Sequence, residues 1–239
     1  MAEITVKVAD LTVFALLDCK HTLAARYLER FSYPWEALPG LKDFILSLGP
    51  TLGDDYREIS PQVWIHKTAK IAPTAYLGAP CIIGDNTEVR HCAFIRGSAL
   101  VGKNCVVGNS VELKNVILFD NVQTPHYNYV GDSILGYRSH MGAGSITSNV
   151  KSDKTLVEVK AAPDLNKPET RVPPAPIATG LKKFGAILGD GVEIGCNTVL
   201  NPGCVIGRNT SVYPVNCVRG FIPAEHIVKS GGIIVRRRG

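Results

Sequence analysis

The chain has 239 residues, of which 45% are hydrophobic, and it carries a formal net charge of +5. This length suits one large domain or two small ones, and the apolar content is enough to bury a core, so we expect a soluble globular protein. The positive charge is most concentrated in the Arg236-Arg237-Arg238 run, without aromatic platforms or a groove-reading motif. We therefore expect a solvated basic tail and no nucleic-acid partner.

The first ten residues mix charged with apolar side chains and lack the continuous apolar core of a signal peptide. No segment approaches the roughly 18 apolar residues that a transmembrane helix needs. The 7 cysteines are odd in number and form no CxxC pair, which argues against a disulfide framework. We expect a cytoplasmic protein that does not associate with membranes.

Residues 1–60 contain no short repeat, and their apolar residues recur at roughly helical spacing across 10–31 and 35–48. Pro34 and Gly40 interrupt this pattern, and Gly49-Pro50 ends it. We predict a helical N-terminal cap over residues 1–60, covering the open N-terminal edge of the domain that follows.

From Ile65 onward a large apolar residue occupies every sixth position. A period of six fits neither an α-helix nor a heptad, but it suits short strands joined by tight turns. Hexapeptide repeats are the signature of β-helical solenoids, and an ordinary β-sandwich would not hold one register for so long. We predict a parallel β-helix over residues 61–235. The repeat residues are Ile65, Ile71, Leu77, Ile83, Val89, Ile95, Val101, Val107, Leu113 and Phe119.

The same pattern resumes from Leu188 to Val218, after failing between Asn149 and Gly180. Because residues 161–176 are rich in proline and polar groups, we expect a long inserted loop at about 150–180, either functional or a flexible excursion. Three cysteines share the small-residue position of the repeat and are expected in the core: Cys81, Cys105 and Cys204.

Arg96 and Lys114 each follow a repeat residue and lie eighteen positions apart. In known proteins with this repeat, three hexads make one coil, so the two cations should stack about 4.8 Å apart on one edge. Like charges at about 5 Å repel by roughly 1 kcal/mol even in water, which favours a bound anion such as phosphate. The alternative is a pair of long side chains splayed into solvent.

The segment 124–132 departs from the hexad pattern, and we expect a short excursion that carries His126, Tyr127 and Tyr129. Histidine titrates near neutral pH, so His126 is a candidate general base, with a structural role as the alternative. The glycines of Gly142-Ala143-Gly144 would expose backbone N–H groups that can hold an oxyanion. Tight coil packing explains these glycines equally well.

Residues 94–154 resemble the C-terminal acetyltransferase domain of bacterial N-acetylglucosamine-1-phosphate uridyltransferase, which acetylates glucosamine 1-phosphate from acetyl-CoA. The sequence PHYNYVGDSILG at 125–136 is similar to the family motif His-Leu-Thr-Tyr-Leu-Gly-Asp. The sequence HMGAGSITSN at 140–149 is similar to Asn-Ile-Gly-Ala-Gly-Thr-Ile-Thr-Cys-Asn. The resemblance implies a left-handed β-helix and a homotrimer whose active sites are shared between neighbouring subunits.

The resemblance also implies residue roles. His126 would be the catalytic base, and the backbone of Ala143 would stabilise the oxyanion. Acetyl-CoA would be the acyl donor, next to Cys196 and Pro214, and the transfer would need no metal. Residues expected to bind the amino-sugar phosphate are Arg96, Lys114, Tyr129, His140, Asn149 and Lys154.

Three departures from the family leave the acceptor open. His140 replaces a sugar-contacting asparagine, Val150 replaces an aromatic residue, and the loop at 150–180 has no counterpart. The family's nucleotidyltransferase domain, with its glycine-rich phosphate loop, is also missing, so we expect no sugar-nucleotide synthesis by this chain alone. The leading hypothesis is an acetyl-CoA-dependent N-acetyltransferase acting on an amino-sugar phosphate. The alternatives are transfer to a nucleotide-linked amino sugar, another acyl donor, or a non-catalytic solenoid that binds a sugar phosphate or nucleotide.

Overall fold

The computed structural model describes residues 8–160 and 175–237, which form a β-solenoid of about 8 turns. Each coil contributes short strands joined by tight turns, and equivalent strands of successive coils pair in parallel. Because the repeat length is even, the repeat residues of every coil point inward and stack into one apolar core. The predicted β-helix of hexapeptide repeats with a small helical N-terminal segment is confirmed.

The solenoid has three faces, which the chain visits in turn. Two strands, β10 (Glu112–Leu118) and β12 (Tyr129–Leu135), run through a corner and serve two faces. Face one contains β2 (Val63–His66), β5 (Cys81–Ile83), β8 (Ala99–Val101), the second halves of β10 and β12, β17 (Ala186–Leu188), β20 (Cys204–Ile206) and β23 (Phe221–Ile222). Face two contains β3 (Lys70–Ile71), β6 (Glu88–Val89), β9 (Val106–Asn109), β11 (Gln123–His126), β13 (His140–Met141), β18 (Glu193–Ile194), β21 (Ser211–Val212) and β24 (His226–Val228). Face three contains β4 (Tyr76–Leu77), β7 (Phe94–Ile95), the first halves of β10 and β12, β14 (Ile146–Thr147), β19 (Val199–Leu200) and β22 (Cys217–Val218).

At each end of the solenoid an antiparallel strand covers the edge of one face. At the N-terminal end, β1 (Tyr56–Ser60) pairs with β2. At the other end, β25 (Ile234–Arg236) pairs with β24. Both strands occupy backbone groups that an open solenoid edge would leave unpaired.

The hexad register changes at β10, one residue earlier than the sequence suggested. Leu118, and not Phe119, stacks on Val101, and Glu112 pairs with Tyr129, seventeen residues further on. At the corner around Asn115 the turn is one residue shorter than in the preceding coil, so β10 continues through the corner without a break. The assignment of Phe119 to the repeat position was therefore wrong, although its side chain is fully buried.

The expected excursion at 124–132 is also wrong. Thr124 pairs with Val107, and Val130 pairs with Leu113, so the segment follows the ordinary course of a coil. Its unusual sequence comes from the shortened coil and from a polar turn at one corner.

Helical structure in the N-terminal segment is shorter than predicted. The spacing across 10–31 suggested one helical run, but the chain forms single turns separated by extended residues. The α-helices are α1 (Val13–Leu16), α2 (Ala25–Leu28) and α3 (Leu41–Leu48). Turns of 3-10 helix occupy Val8–Leu11, Cys19–His21, Pro34–Ala37, Gly49–Thr51 and, near the C-terminus, Ser230–Gly232.

This segment, the N-terminal arm (residues 8–51), lies along the side of the solenoid instead of over its end. The Asp18 N–H donates to the Asp190 carboxylate at 2.7 Å, and the Asn115 amide donates to the Leu38 carbonyl at 3.4 Å. The rings of His21 and Tyr137 stack with centroids 3.6 Å apart. The arm therefore crosses coils on both sides of the inserted loop, and at the N-terminal end the edge of face one is covered by β1.

The repeat is interrupted between β14 and β17. Ile134 pairs with Ile187, so the step between adjacent coils is 53 residues in place of 18, which leaves 35 residues outside the solenoid. The described part of this insert contains the antiparallel pair β15 (Glu158–Val159) and β16 (Ile177–Ala178). Much of the proline-rich stretch expected at 161–176 falls outside the described residues.

Burial of the three repeat cysteines agrees with their expected core positions. Desolvation raises the pKa of the Cys81 and Cys105 thiols to about 12, and it also raises the pKa of Cys204. These thiols are therefore uncharged packing groups. Within residues 8–160 and 175–237, none of the helices has the length and apolar character needed to cross a membrane.

Candidate functional site

Two corners of the solenoid carry the predicted site residues. The first, where face two turns into face three, is called the His126 corner and includes residues 91, 126, 142–144, 196 and 214. The second, where face three turns into face one, is called the Lys114 corner and includes residues 96, 114–115, 131–132, 148–149, 201 and 219. Each corner is a column in which backbone N–H groups of one coil donate to carbonyls of the next.

Arg96 and Lys114 lie on successive coils of the Lys114 corner, since the preceding residues Ile95 and Leu113 are register partners. Each cation is already paired with a carboxylate. Arg96 donates to Glu112 at 2.8 Å, and Lys114 donates to both carboxylate oxygens of Asp132 at 3.0 and 2.9 Å. The repulsion that suggested an anion between the cations is therefore offset within the chain, and the spacing alone does not require a phosphate.

Asp132 is the centre of the polar network at this corner. Its side chain is only 6% exposed, and besides Lys114 it accepts hydrogen bonds from the amides of Asn115, at 2.9 Å, and Asn149, at 2.6 Å. A buried carboxylate needs such partners to offset the loss of hydration. The network fixes the positions of Lys114 and Asn149, two residues that the sequence assigned to acceptor binding.

Tyr129 joins the same network from face three. Its phenolic oxygen accepts a hydrogen bond from the Asn149 amide at 3.2 Å. Burial raises the pKa of Tyr129, and the carboxylates of Asp132 and Glu112 raise it further. The phenol therefore stays protonated at neutral pH and can donate its hydrogen to an oxygen of a ligand.

A third cation reaches this corner from the N-terminal arm. Lys42, on α3, lines a shallow cavity of about 270 Å³ together with Arg96 and Lys114. With Glu112 and Asp132 as counter-charges, three cations face two carboxylates. The cavity thus retains a net positive charge, which suits an anionic ligand.

His126 ends β11 on the other corner, with its imidazole exposed. Its backbone is held by Asn128, whose buried side chain accepts from the His126 N–H at 3.2 Å and donates to the Gly142 carbonyl at 2.8 Å. In the part of the chain that the structure describes, no hydrogen bond links the imidazole to Lys114 or Asp132. A single chain therefore displays His126 and the Asp132 network at opposite sides of face three.

Ala143 follows His126 on the next coil of the His126 corner. The Gly144 N–H donates to the His126 carbonyl at 3.1 Å, and the Ala143 carbonyl accepts from Asn197 at 2.8 Å. Among backbone hydrogen bonds of the described residues, none uses the Ala143 N–H. That N–H lies one coil beyond His126 and is free to donate to a ligand.

The remaining predicted residues fall into two groups. Cys196 and Pro214 are exposed and continue the His126 corner over the next two coils, where the Cys196 carbonyl accepts from Val215 at 2.9 Å. His140 and Lys154 lie away from the Asp132 network. His140 starts β13 on face two, where its ring bonds Glu193 at 2.9 Å, and Lys154 is exposed in a turn of the insert.

The sequence did not single out several residues that shape the site. Asp132 could have been found, because it lies inside the quoted Tyr-Val-Gly-Asp stretch. Asn128 lies in the same 125–136 stretch, whereas Glu112 and Asn115 become recognisable only when the coils are stacked. Lys42 had no sequence signal, since it reaches the site from an arm that was expected elsewhere. Within the described ranges no cluster of three or more histidine, cysteine or carboxylate side chains could hold a metal ion.

Fold and site together define a hexapeptide-repeat β-helix with a polar, cationic site at one corner. In sequence the chain resembles the proteins named Bifunctional protein GlmU, and the expected resemblance to the acetyltransferase domain of the uridyltransferase family is confirmed. The GlmU of Methanococcus vannielii is 29% identical over 172 residues, which cover 71% of this chain and 34% of that protein. The GlmU of Methanococcus aeolicus is 35% identical over 106 residues, covering 44% of this chain and 23% of that protein.

A further relative is the bifunctional sugar-1-phosphate nucleotidylyltransferase/acetyltransferase of Sulfurisphaera tokodaii, 28% identical over 185 residues, which cover 76% of this chain and 43% of that protein. The chain thus spans less than half the length of these three relatives. A hexapeptide transferase family protein of Anaplasma phagocytophilum has a similar solved structure, with a TM-score of 0.46, 14% identity and coverage of 73% of this chain and 78% of that one. No family model matches the chain.

Proposed function

We propose that the protein is an acetyl-CoA-dependent N-acetyltransferase that acts on an amino-sugar phosphate such as glucosamine 1-phosphate. The observation that carries the proposal is the network in which Asp132 fixes Lys114, Asn149 and, through Asn149, Tyr129. Acetyltransferase activity is supported by the sequence relatives, one of which is named for both a sugar 1-phosphate and acetyl transfer.

In the proposed reaction the sugar amine attacks the thioester carbonyl of acetyl-CoA, so that a C–N bond forms and the C–S bond breaks. His126 accepts the proton that the amine loses, and coenzyme A leaves as the thiolate or thiol. The Ala143 N–H donates to the oxyanion that develops on the carbonyl. Lys114, Arg96 and Lys42 hold the sugar phosphate at the Lys114 corner.

The acyl donor is proposed to lie along the His126 corner. Gly142, Ala143, Cys196 and Pro214 give this column small, uncharged side chains that permit close approach of a flexible chain running parallel to the solenoid axis. His126 lies at one end of that path, which suits transfer at the thioester end of the donor.

The separation of the two corners bears on assembly. Since one subunit places His126 and the Asp132 network on opposite sides of face three, a second copy that brings its His126 corner against the Lys114 corner would complete the site. We propose a homotrimer with active sites between subunits, as the family resemblance implies.

Incubation of the purified protein with acetyl-CoA and glucosamine 1-phosphate, followed by measurement of free thiol, tests the activity. His126→Ala should lower the rate by at least about 100-fold, the usual contribution of a general base. His91→Ala is the matched control, because His91 is exposed on the same corner two coils away and should leave the rate unchanged. Equal rates for the two variants, or no thiol release by the unsubstituted protein, would contradict the proposal.

A non-catalytic solenoid that binds a sugar phosphate is the second candidate. It is favoured by the carboxylate partners of Arg96 and Lys114, which stabilise the cations without a substrate, and by the distance of His126 from them along one subunit. Tight binding of glucosamine 1-phosphate with no thiol release, in the presence of several acyl donors and acceptors, would favour this candidate.

A further inference from the structure

The insert forms a cavity of about 620 Å³ against the solenoid, called here the insert cavity. One wall is the Lys114 corner at Ser148, Asn201 and Arg219, and the other is the insert itself, including Lys151 and Lys160. The shallow cavity of the proposed acceptor site shares none of its lining residues with the insert cavity. The insert cavity is therefore a separate feature, further along the same corner.

The described part of the insert is firmly packed against the coils. Val157 and Val159 are buried, and the Phe221 N–H donates to the Lys160 carbonyl at 2.6 Å. Gly203 shows how close this contact is, since a Cβ added there would lie 2.7 Å from Val157 Cγ1. The wall that carries Lys160 is thus held in place by core contacts, and the cavity has a defined shape.

The charges in the insert cavity leave one cation uncompensated. Lys151 lies 3.5 Å from the carboxylate of Asp153, and Lys160 lies 3.3 Å from that of Glu158. The side chain of Arg219 is exposed and makes no hydrogen bond or ion pair with any described residue. An unpaired guanidinium can bind a phosphate through two parallel N–H donors, so the cavity suits a phosphate-bearing ligand.

Arg219 lies three coils beyond His126 along the solenoid. It is on the same coil as Pro214, which occupies the opposite corner of face three. Coils are separated by about 4.8 Å, so Arg219 and Pro214 are both about 14 Å from the level of His126. The register partners on face three that mark these four coils are Tyr129, Ile146, Val199 and Cys217.

This axial separation matches the length of the pantetheine arm of coenzyme A. About thirteen bonds join the thioester sulfur to the nearer phosphorus of the diphosphate, and an extended chain of that length spans roughly 15 Å. A donor with its thioester at His126 and its arm along the His126 corner therefore brings its diphosphate to the level of Pro214 and Arg219.

Within one subunit the width of face three separates such a donor from the insert cavity. In the proposed homotrimer, however, the His126 corner of one subunit lies against the Lys114 corner of the next. A threefold axis parallel to the solenoid keeps equivalent coils of all subunits at one level. The insert cavity of the next subunit then faces the diphosphate of the donor.

We propose that the insert cavity binds the diphosphate of an acyl-CoA donor that lies along the His126 corner of the neighbouring subunit. Arg219 makes the main contact, and Lys151 and Lys160 add positive charge. The inference rests on the proposed function, because it locates the far end of the donor used in that reaction. It gives the insert a role in donor affinity that is independent of the acceptor.

Calorimetric titration of the full chain tests the inference without requiring acetyl transfer. Three ligands are compared: pantetheine, dephospho-coenzyme A, which has the diphosphate but lacks the 3′-phosphate, and coenzyme A. Arg219→Gln should weaken the binding of both coenzyme forms by at least about tenfold, the contribution of one charge-assisted contact. The affinity for pantetheine, which has no phosphate, should stay unchanged. A loss confined to coenzyme A would assign Arg219 to the 3′-phosphate and overturn the diphosphate placement.

Arg57→Gln is the matched control, since Arg57 is exposed on β1, outside both corners, and the substitution removes the same charge. Equal affinities of Arg57→Gln and Arg219→Gln for dephospho-coenzyme A overturn the inference. Acetyl transfer measured in parallel separates the two proposals. Arg219-dependent binding without transfer refutes only the acetyltransferase, and transfer with the same KM for acetyl-CoA in both variants refutes only the donor subsite.

The placement of the donor between two subunits has a test of its own. Cys196→Trp narrows the donor path on the His126 corner, where Cys196 is exposed, and Arg219→Gln removes the contact on the other corner. Oligomers refolded from both variants together contain interfaces in which both features are intact, so tight binding of coenzyme A should return at a fraction of the sites. No return in confirmed mixed oligomers would show that Arg219 does not act on a neighbour's donor.

Discussion

Asp132 links three residues of the proposed acceptor site, and its replacement tests that link. Asp132→Asn keeps the shape of the side chain and suits the positive φ of 48° at this position, but it removes the charge that holds Lys114. We expect a loss of about 2 kcal/mol in the free energy of unfolding, because Lys114 is left partly buried without its counter-charge. Urea denaturation measures this change in the free energy of unfolding.

Glu112→Gln serves as the control for this experiment. The Arg96–Glu112 pair is more exposed, with side chains 47% and 32% accessible, and solvent screening leaves such pairs with little effect on stability. If both substitutions destabilise the protein equally, Asp132 is not the organising carboxylate of the corner.

Individual site residues were predictable from the sequence to different degrees. Arg96 and Lys114 could be placed on successive coils because a constant period converts sequence spacing directly into position. The carboxylate partners of these cations could not be placed from spacing. Glu112 and Asp132 contact the cations across neighbouring coils, and the coil length changes here from eighteen to seventeen residues. His126 was recognised as a candidate base, but its separation from Lys114 follows from corner geometry that spacing alone does not give.

Strand stacking at the His126 corner depends on Gly108. A Cβ added at Gly108 would lie 1.6 Å from the Pro125 carbonyl oxygen, directly before His126, so no other residue fits without moving the next coil. We expect Gly108→Ala to destabilise the protein by roughly 3 kcal/mol or more, measured as a shift of the urea midpoint.

Gly53→Ala provides the comparison, because an added Cβ there meets nothing within 4 Å. It should leave the midpoint almost unchanged. A similar loss in both variants would show that the effect comes from glycine removal in general and not from the close contact between β9 and β11.

Among the elements, strands were predicted better than helices. The hexad period predicted the strands of residues 61–149 because most repeat residues are buried in the core, whereas the buried apolar residues of the N-terminal arm come from short helical turns separated by extended residues. Leu11, Leu16 and Leu17 are all buried, but they face the solenoid side from single helical turns. The helical spacing therefore predicted correctly that these residues are buried, but it predicted longer helices than the arm contains.

At the scale of the whole molecule, the proposed trimer can be tested by subunit complementation. His126→Ala and Lys114→Met each remove one side of the proposed site. If the site combines the His126 corner of one subunit with the Lys114 corner of the next, oligomers made by refolding the two inactive variants together should regain a substantial fraction of the activity. Each variant refolded alone is the control.

No recovery in the mixture, with mixed oligomers confirmed by mass, would mean that both residues act from the same subunit. In that case the substrate would have to lie across face three, over Tyr129. The experiment thus decides between two arrangements that the geometry of a single subunit leaves open.

The overall architecture could be predicted because a solenoid is built from local repeats, each of which contacts only its neighbours. The position of the N-terminal arm could not, because it depends on contacts such as Asp18 with Asp190, 172 residues apart. No periodic pattern in the sequence reports such a contact.

The path of the N-terminal arm has a consequence for how the protein folds. The arm is synthesised before the solenoid, yet its contacts with Asp190 and Arg208 require coils that follow it by 172 and 194 residues. The 53-residue step across the insert adds only about 1 kcal/mol of loop-closure entropy relative to an 18-residue coil, so the insert is a small obstacle to stacking the coils on its two sides. The arm therefore completes its docking only after those coils have formed. Once docked, it contacts the solenoid on both sides of the insert.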